Sequence, residues 1–170
     1  MPVTWRPATK ADRASLERFQ CTPESGPVFE REVQTWIRRD AIPDTNRSGK
    51  SDQRLLLVHD GDDLVAVGCH ARWQDIDGKP SRLWIVGAVA LSSQGERLSN
   101  GQRASDALVE ILLNDVVERD DPPPEWLVAK VHKDNTRSLR LCDRIGLTTE
   151  QPLPDNLLLR LGPLPRPAAG

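Results

Sequence analysis

The sequence predicts an α/β (α+β) fold: a mixed, mostly antiparallel sheet with helices on both faces and a splayed central pair of parallel strands. Three observations predict it. First, the apolar runs Leu55–Val58, Leu64–Trp73 and Leu83–Leu91 are joined by the turns Asp60-Gly61-Asp62-Asp63 and Asp77-Gly78-Lys79-Pro80. Asp-Gly between apolar runs is a strong hairpin signal, so the three form an antiparallel meander. Second, the third run leads through a long helical pattern to another apolar run, Trp126–Val131, and a strand reached by a helical crossover pairs in parallel. Third, the helix between them has an apolar face too wide for solvent, so it packs on the sheet.

The elements follow in order. Val3-Thr4-Trp5-Arg6 is a short strand that Pro7 ends. Thr9 and Asp12 stand as a capping pair, and Ala11, Ser15, Leu16 and Phe19 carry a helix to about Gln20. Thr22 to Pro27 is a loop. Phe29, Val33, Trp36, Ile37 and Ala41 share one face of a second helix. Pro43 to Gln53 is polar and reads as a mobile surface loop. After the meander, Ser92 to Asn100 is a polar loop that opens at Gly101 into a helix ending near Arg119. Ala104, Ala107, Leu108, Ile111, Leu112 and Val116 set its period, and Asp121 to Pro124 stops it. Asp134 caps the last helix, Gly146 terminates it, and Asn156 to Leu161 is a final strand.

Length and composition bound the rest. The 170 residues predict one domain over 1–161, followed by a disordered Pro-rich tail over 162–170. No apolar run approaches the roughly 20 residues of a membrane helix, and the N-terminus has no secretory pattern. Cys21, Cys69 and Cys142 are an odd, scattered set, which fits a reduced, cytoplasmic chain better than disulfides or zinc. A formal net charge of −2 argues against nucleic acid as a partner. Lys130, Lys133, Arg137, Arg140 and Arg144 nevertheless make a local basic cluster, either a solvated helix face or a seat for phosphate.

Strand, glycine loop, helix, strand, helix is an arrangement suited to a phosphorylated ligand. A helix N-terminus leaves four N–H groups without partners and favours an anion, and a glycine ahead of it lets a pyrophosphate approach the backbone. Arg97 and Arg103 are placed to pair with phosphate. The alternative is an ordinary loop leading into a core helix. Asn135, Ser138 and Cys142 step by three and four, which places them on one helix face. Asn135 as a helix-start residue bonding its own backbone, and Ser138 as a small packing residue, are the structural alternatives.

Two stretches, Val86 to Leu91 with Asn100 to Leu108, and Val131 to Leu147, together with the element order β-α-α-β-β-β-α-β-α-β, resemble the GNAT superfamily of acetyl-coenzyme A-dependent N-acetyltransferases. The resemblance covers nearly all of the chain to Leu161. It implies acetyl-CoA as cofactor, bound by Val89, Leu91, Arg97, Asn100, Gly101, Gln102, Arg103, Ala104, Ser105, Asn135 and Ser138. The family's second small residue in the glycine loop is replaced here by Arg103 or Ser105, depending on alignment. It also implies transfer to a small-molecule or peptide amine by direct attack in a ternary complex, with no metal. A backbone N–H near Val89 would polarise the thioester.

Many relatives protonate the leaving thiolate with a tyrosine at the position of Cys142, and this chain has no tyrosine. Cys142 is therefore the candidate acid, against a packing role. His70, His132 and Glu96 are candidate bases, with water-mediated deprotonation as the alternative. Phe19-x-Cys21 with Trp36, Ile37 and Ala41 is faintly similar to GNAT toxins that acetylate aminoacyl-tRNA. A catalytically silent acyl-CoA-binding module is a further alternative, and homodimers through sheet edges are common in the superfamily.

Overall fold

Residues 2–42, 52–119 and 122–165 are described by the computed structural model. The meander is its backbone: β2 (Arg54–Asp60), β3 (Asp63–Ile76) and β4 (Lys79–Val89) pair antiparallel in sequence order. Both turns place a residue at positive φ where local chemistry tolerates it, Gly61 in the first and Asp77 with Gly78 in the second. β1 (Val3–Pro7) adds antiparallel to β2, while β5 (Trp126–His132) adds parallel to β4. β7 (Leu157–Pro163) follows β5, and β6 (Thr149–Pro152) closes the edge, for the order β1-β2-β3-β4-β5-β7-β6.

Helices cover both faces. α1 (Arg13–Glu17) and α2 (Val28–Arg39) set Leu16, Phe19 and Ile37 against Leu55, Leu57, Val67 and Cys69. On the other face, α3 (Ala104–Arg119) and α4 (Thr136–Arg144) bury Leu112, Val116 and Cys142 against Trp84, Leu127 and Ala129. Being covered on both sides, β2 reads as an unbroken apolar run rather than an alternation, with Leu55 to Val58 all buried. Arg6 links β1 to the start of α1 through a bidentate pair with Asp12, at 2.8 and 2.5 Å, and Asp12 also accepts from the Thr9 N–H.

Several boundaries differ from expectation. The first helix is a 3-10 turn, Lys10–Asp12, followed by the short α1, because only Leu16 of α1 is buried. β6 has no counterpart in the expected element order: all four of its residues are exposed, and only pairing with β7 makes it a strand. β7 runs through Gly162 to Pro163, so the tail begins later than expected; Gly162 is buried and opposite Leu127. The rest of that tail, 166–170, and most of the Pro43 to Gln53 loop, 43–51, lie outside the described residues. No described helix is long and apolar enough to cross a membrane.

The parallel pair separates midway. β4 and β5 are in register only from Ser81 to Trp84 and from Trp126 to Ala129, although both strands continue. The cause is local. Cys69 faces Val86 while His70 faces Trp84, so Ile85 is an extra residue, and such a bulge bends its strand. The Trp84 indole then fills the start of the gap and donates to the Val86 carbonyl at 2.8 Å.

Candidate functional site

The gap opens into a cleft of about 550 Å³ that reaches from α2 across β4 to the starts of α3 and α4. Gly87, Ala88 and Val89 form its floor. The Ala90 N–H donates to Val65 on β3, so by the alternation of an antiparallel ladder the peptide edges of Gly87 and Val89 turn the other way, into the gap. Gln94 steadies this strand end by donating to the carbonyls of Val89 (3.2 Å) and Cys21 (2.6 Å).

Gly87 leaves room for the indole. A Cβ there would lie 2.7 Å from Cζ2 of Trp84 and 3.0 Å from its Nε1. Gly87→Val is expected to displace the indole and cost about 1–3 kcal/mol in chemical unfolding, the usual range for overpacking. In a Trp84→Leu background the same change should cost much less, a non-additivity that a double-mutant cycle measures.

At the far end stands the start of α3. Its first intrahelical bond is accepted by the Arg103 carbonyl, with Asp106 and Ala107 N–H donating at 3.0 Å. Arginine has no acceptor atom, so it cannot cap the helix as Ser, Thr, Asp or Asn would. The amides of Ala104 and Ser105 precede that first bond, and both residues line the cleft with Arg103. Across from them α4 supplies Arg140 and Arg144. Arg144 pairs with Asp106 at 2.9 Å, tying α4 to α3, whereas Arg103 and Arg140 have no carboxylate partner among the described residues. Two unpaired guanidinium groups beside an uncapped helix start form a seat for phosphate.

The residues expected in the site divide into two groups. Val89, Arg103, Ala104, Ser105, Asn135, Ser138 and Glu96 all line the cleft. Asn135 is also the cap of α4, its Oδ1 accepting from the Ser138 N–H at 3.1 Å. Arg97, Asn100, Gly101 and Gln102 stand away from the cleft wall in a tight turn of their own. The Leu98 N–H donates to Gln102, Arg97 donates to the Gly101 carbonyl at 2.7 Å, and Asn100 bonds Gln102. Gly101 takes a φ of +83° there, a conformation that favours glycine. Leu91 spends its N–H on the Gln20 carbonyl, which holds the α1–α2 loop down.

Two catalytic candidates lie outside the cleft. Cys142 is buried beside Leu112 and Val116, and burial foremost pushes its thiol above the ordinary value. Arg137, Arg140, Leu141 and Arg144 make the face of α4 that lines the cleft, with Ser138 at its edge, so one residue on from Leu141 the helix turns Cys142 toward the core. His70 is fully buried on β3. Arg82 Nε–H donates to its Nδ1 at 3.1 Å, so Nε2 carries the proton and donates to Asp115 at 2.7 Å. Burial holds His70 below its usual value, against the pull of Asp115. It is a structural histidine. His132 stacks on Phe29, with ring centroids 4.8 Å apart.

Sequence reasoning did not single out which α2 residues form a wall of the cleft. Phe29, Glu30 and Val33 face the cleft beside Cys21, whose loop is pinned when Gln34 accepts from the Cys21 and Thr22 N–H groups. Glu30 accepts from the buried Thr22 hydroxyl at 2.7 Å. Ser93, Gln94 and Gly95 complete the rim. No local signal separates these residues from ordinary loop and helix positions.

No protein-family model and no curated protein matches the chain. Solved structures do. AtaTR bound with AcCoA superposes with a TM-score of 0.68 at 17% identity, over 95% of this chain and 93% of that one. A putative acetyltransferase of the GNAT family from Desulfovibrio desulfuricans gives 0.66 at 14%, over 96% and 99%. The ribosomal-protein-S18-alanine N-acetyltransferase from Escherichia coli gives 0.59 at 15%, over 99% and 97%. The chain has the GNAT fold. AtaT-AtaR and KacTA have also been solved in complexes with DNA, so proteins of this fold do enter nucleic-acid assemblies, against the expectation drawn from net charge.

Proposed function

We propose that the chain is an N-acetyltransferase that moves an acetyl group from acetyl-CoA to a primary amine by direct attack in a ternary complex. What carries this reading is the junction of two features in one cleft: peptide edges turned into a strand gap, and a phosphate seat at an uncapped helix start. The seat fits a phosphorylated cofactor, with Arg103, Arg140 and the first amides of α3 as its holders. Acetyl-CoA bound there supplies an activated acyl group and a thiolate leaving group.

The protein's own part is positioning and charge. The Val89 N–H, directed into the gap and steadied through Gln94, stabilises negative charge developing on a carbonyl oxygen. Glu96 on the cleft wall takes the ammonium proton, directly or through water, before the nitrogen forms the new C–N bond and the C–S bond breaks. The second proton lost by the nitrogen passes through water at the open mouth to the departing sulfur, a relay in which Cys142 is too deep to take part. A second reading, a tRNA-directed toxin, is favoured by the likeness to AtaT, which is described as a toxin.

Thermal unfolding with and without acetyl-CoA tests the proposal. A ligand that binds only the native state must raise the melting temperature. A clear rise, followed by thiol release when amines are added, is the expected result. No rise at concentrations far above the micromolar range overturns the reading. Translation arrest on expression would favour the toxin over a small-amine enzyme.

A further inference from the structure

The cleft is electrostatically divided along α4. Near its last turn, Arg140 and Arg144 border the start of α3, and the Arg144–Asp106 pair fixes that contact. Its first turn instead borders α2, where Arg137 approaches Glu30. Residues 137 and 144 are seven apart, so the two ends are separated by about 10 Å along the helix. The basic end suits phosphate. The opposite end presents a carboxylate among Cys21, Phe29 and Val33.

Glu30 is only partly engaged. One oxygen accepts from Thr22, whereas the other has Arg137 at 3.9 Å, too long for a hydrogen bond, and Arg137 is two-thirds exposed. Its charge reaches into the cleft: the Cys21 thiol is pushed up to about 11, by burial first and by Glu30 second. That thiol stays neutral, so among the described residues Glu30 is the one anionic group on this wall, with Glu96 across the rim. An ammonium group is smaller and better placed than a long, exposed guanidinium to take the open oxygen.

Building on the acetyltransferase reading, we infer that Glu30 anchors the acceptor's ammonium group and that the acceptor is a cationic primary amine with an apolar body lying on Phe29 and Val33. Glu30 positions the amine and does not act as the base. An anionic or uncharged acceptor would leave the carboxylate without a partner, which is how the site discriminates.

Calorimetric titration of the CoA-saturated protein with phenethylamine and with its uncharged analogue 2-phenylethanol tests this. Glu30→Gln keeps the shape and the Thr22 bond. It is expected to weaken phenethylamine binding about tenfold or more, the worth of one charge-assisted hydrogen bond, and to leave 2-phenylethanol unchanged. Equal losses for both compounds would mark a structural role and overturn the inference. So would unchanged phenethylamine binding, or wild-type protein that prefers the alcohol. The melting-temperature rise with acetyl-CoA is recorded for wild type and variant alike: its absence in wild type sinks the acetyltransferase reading, whereas its presence with no amine preference sinks only the role of Glu30.

Discussion

Asp115→Ala is expected to destabilise the fold by about 3–5 kcal/mol, the cost of removing one partner from a buried charge network. Asp115 receives Arg54 at 2.6 and 3.1 Å and His70 at 2.7 Å, and His70 in turn receives Arg82, which is fully buried and pairs with Asp52. Alanine would strand these donors in the interface between α3 and the sheet. Asp115→Asn, which keeps an acceptor for Arg54 and His70, should cost less than Asp115→Ala, because a buried donor left without any bond costs more than one that keeps a weaker bond. Urea unfolding of the two variants checks the order.

The same network sets the response to acid. Burial would raise Asp115, but hydrogen bonds from His70 and Arg54 outweigh it and hold the carboxyl well below its usual range. Burial would raise Asp52 as well, but Arg119 and Arg82 together outweigh it and bring it down to about 2. A depressed carboxylate stabilises the fold above its unfolded value, near 4, and that contribution is lost as pH falls toward the folded value. His70 acts in the same direction. Below about 6.5 the unfolded chain takes up a proton that the folded protein refuses. The melting temperature is therefore expected to fall in two stages, from about pH 6.5 and again below about 4. In His70→Gln, which keeps a donor toward Asp115, the first stage should shrink to what His59 contributes, since burial foremost lowers that imidazole too.

The second large effect concerns the phosphate seat. Arg103→Ala with Arg140→Ala is expected to weaken acetyl-CoA binding about a hundredfold. Each exposed guanidinium is worth the low end of a charged hydrogen bond, about 1.5 kcal/mol, and two of them make about two decades. Raising the salt should weaken wild type more than the double variant, since the lost interactions are the screened ones. Calorimetry at two ionic strengths reads both. Binding unchanged in the double variant would place the phosphates elsewhere.

Neighbouring residues carried most of what could be read in advance. Asp60-Gly61 and Asp77-Gly78 gave away the meander, and the α3 pattern ending before three prolines gave away the crossover and its parallel strand. Cleft residues on the loop and helix starts were legible for the same reason. β6 was not, because Thr149-Glu150-Gln151-Pro152 has no apolar alternation and is a strand only through β7.

By itself, then, the sequence determined the order and type of the main elements and the crossover that places two helix starts beside one strand end. These follow from turn chemistry and periodicity, which act over a few residues. Tertiary structure alone decided that His70 is buried between Asp115 and Arg82, that Cys142 faces the core while Leu141 faces the cleft, and that Glu30 stands opposite the arginines. Each depends on groups brought together from distant parts of the chain, or on which face of a helix is turned toward the core. Periodicity carries no record of either.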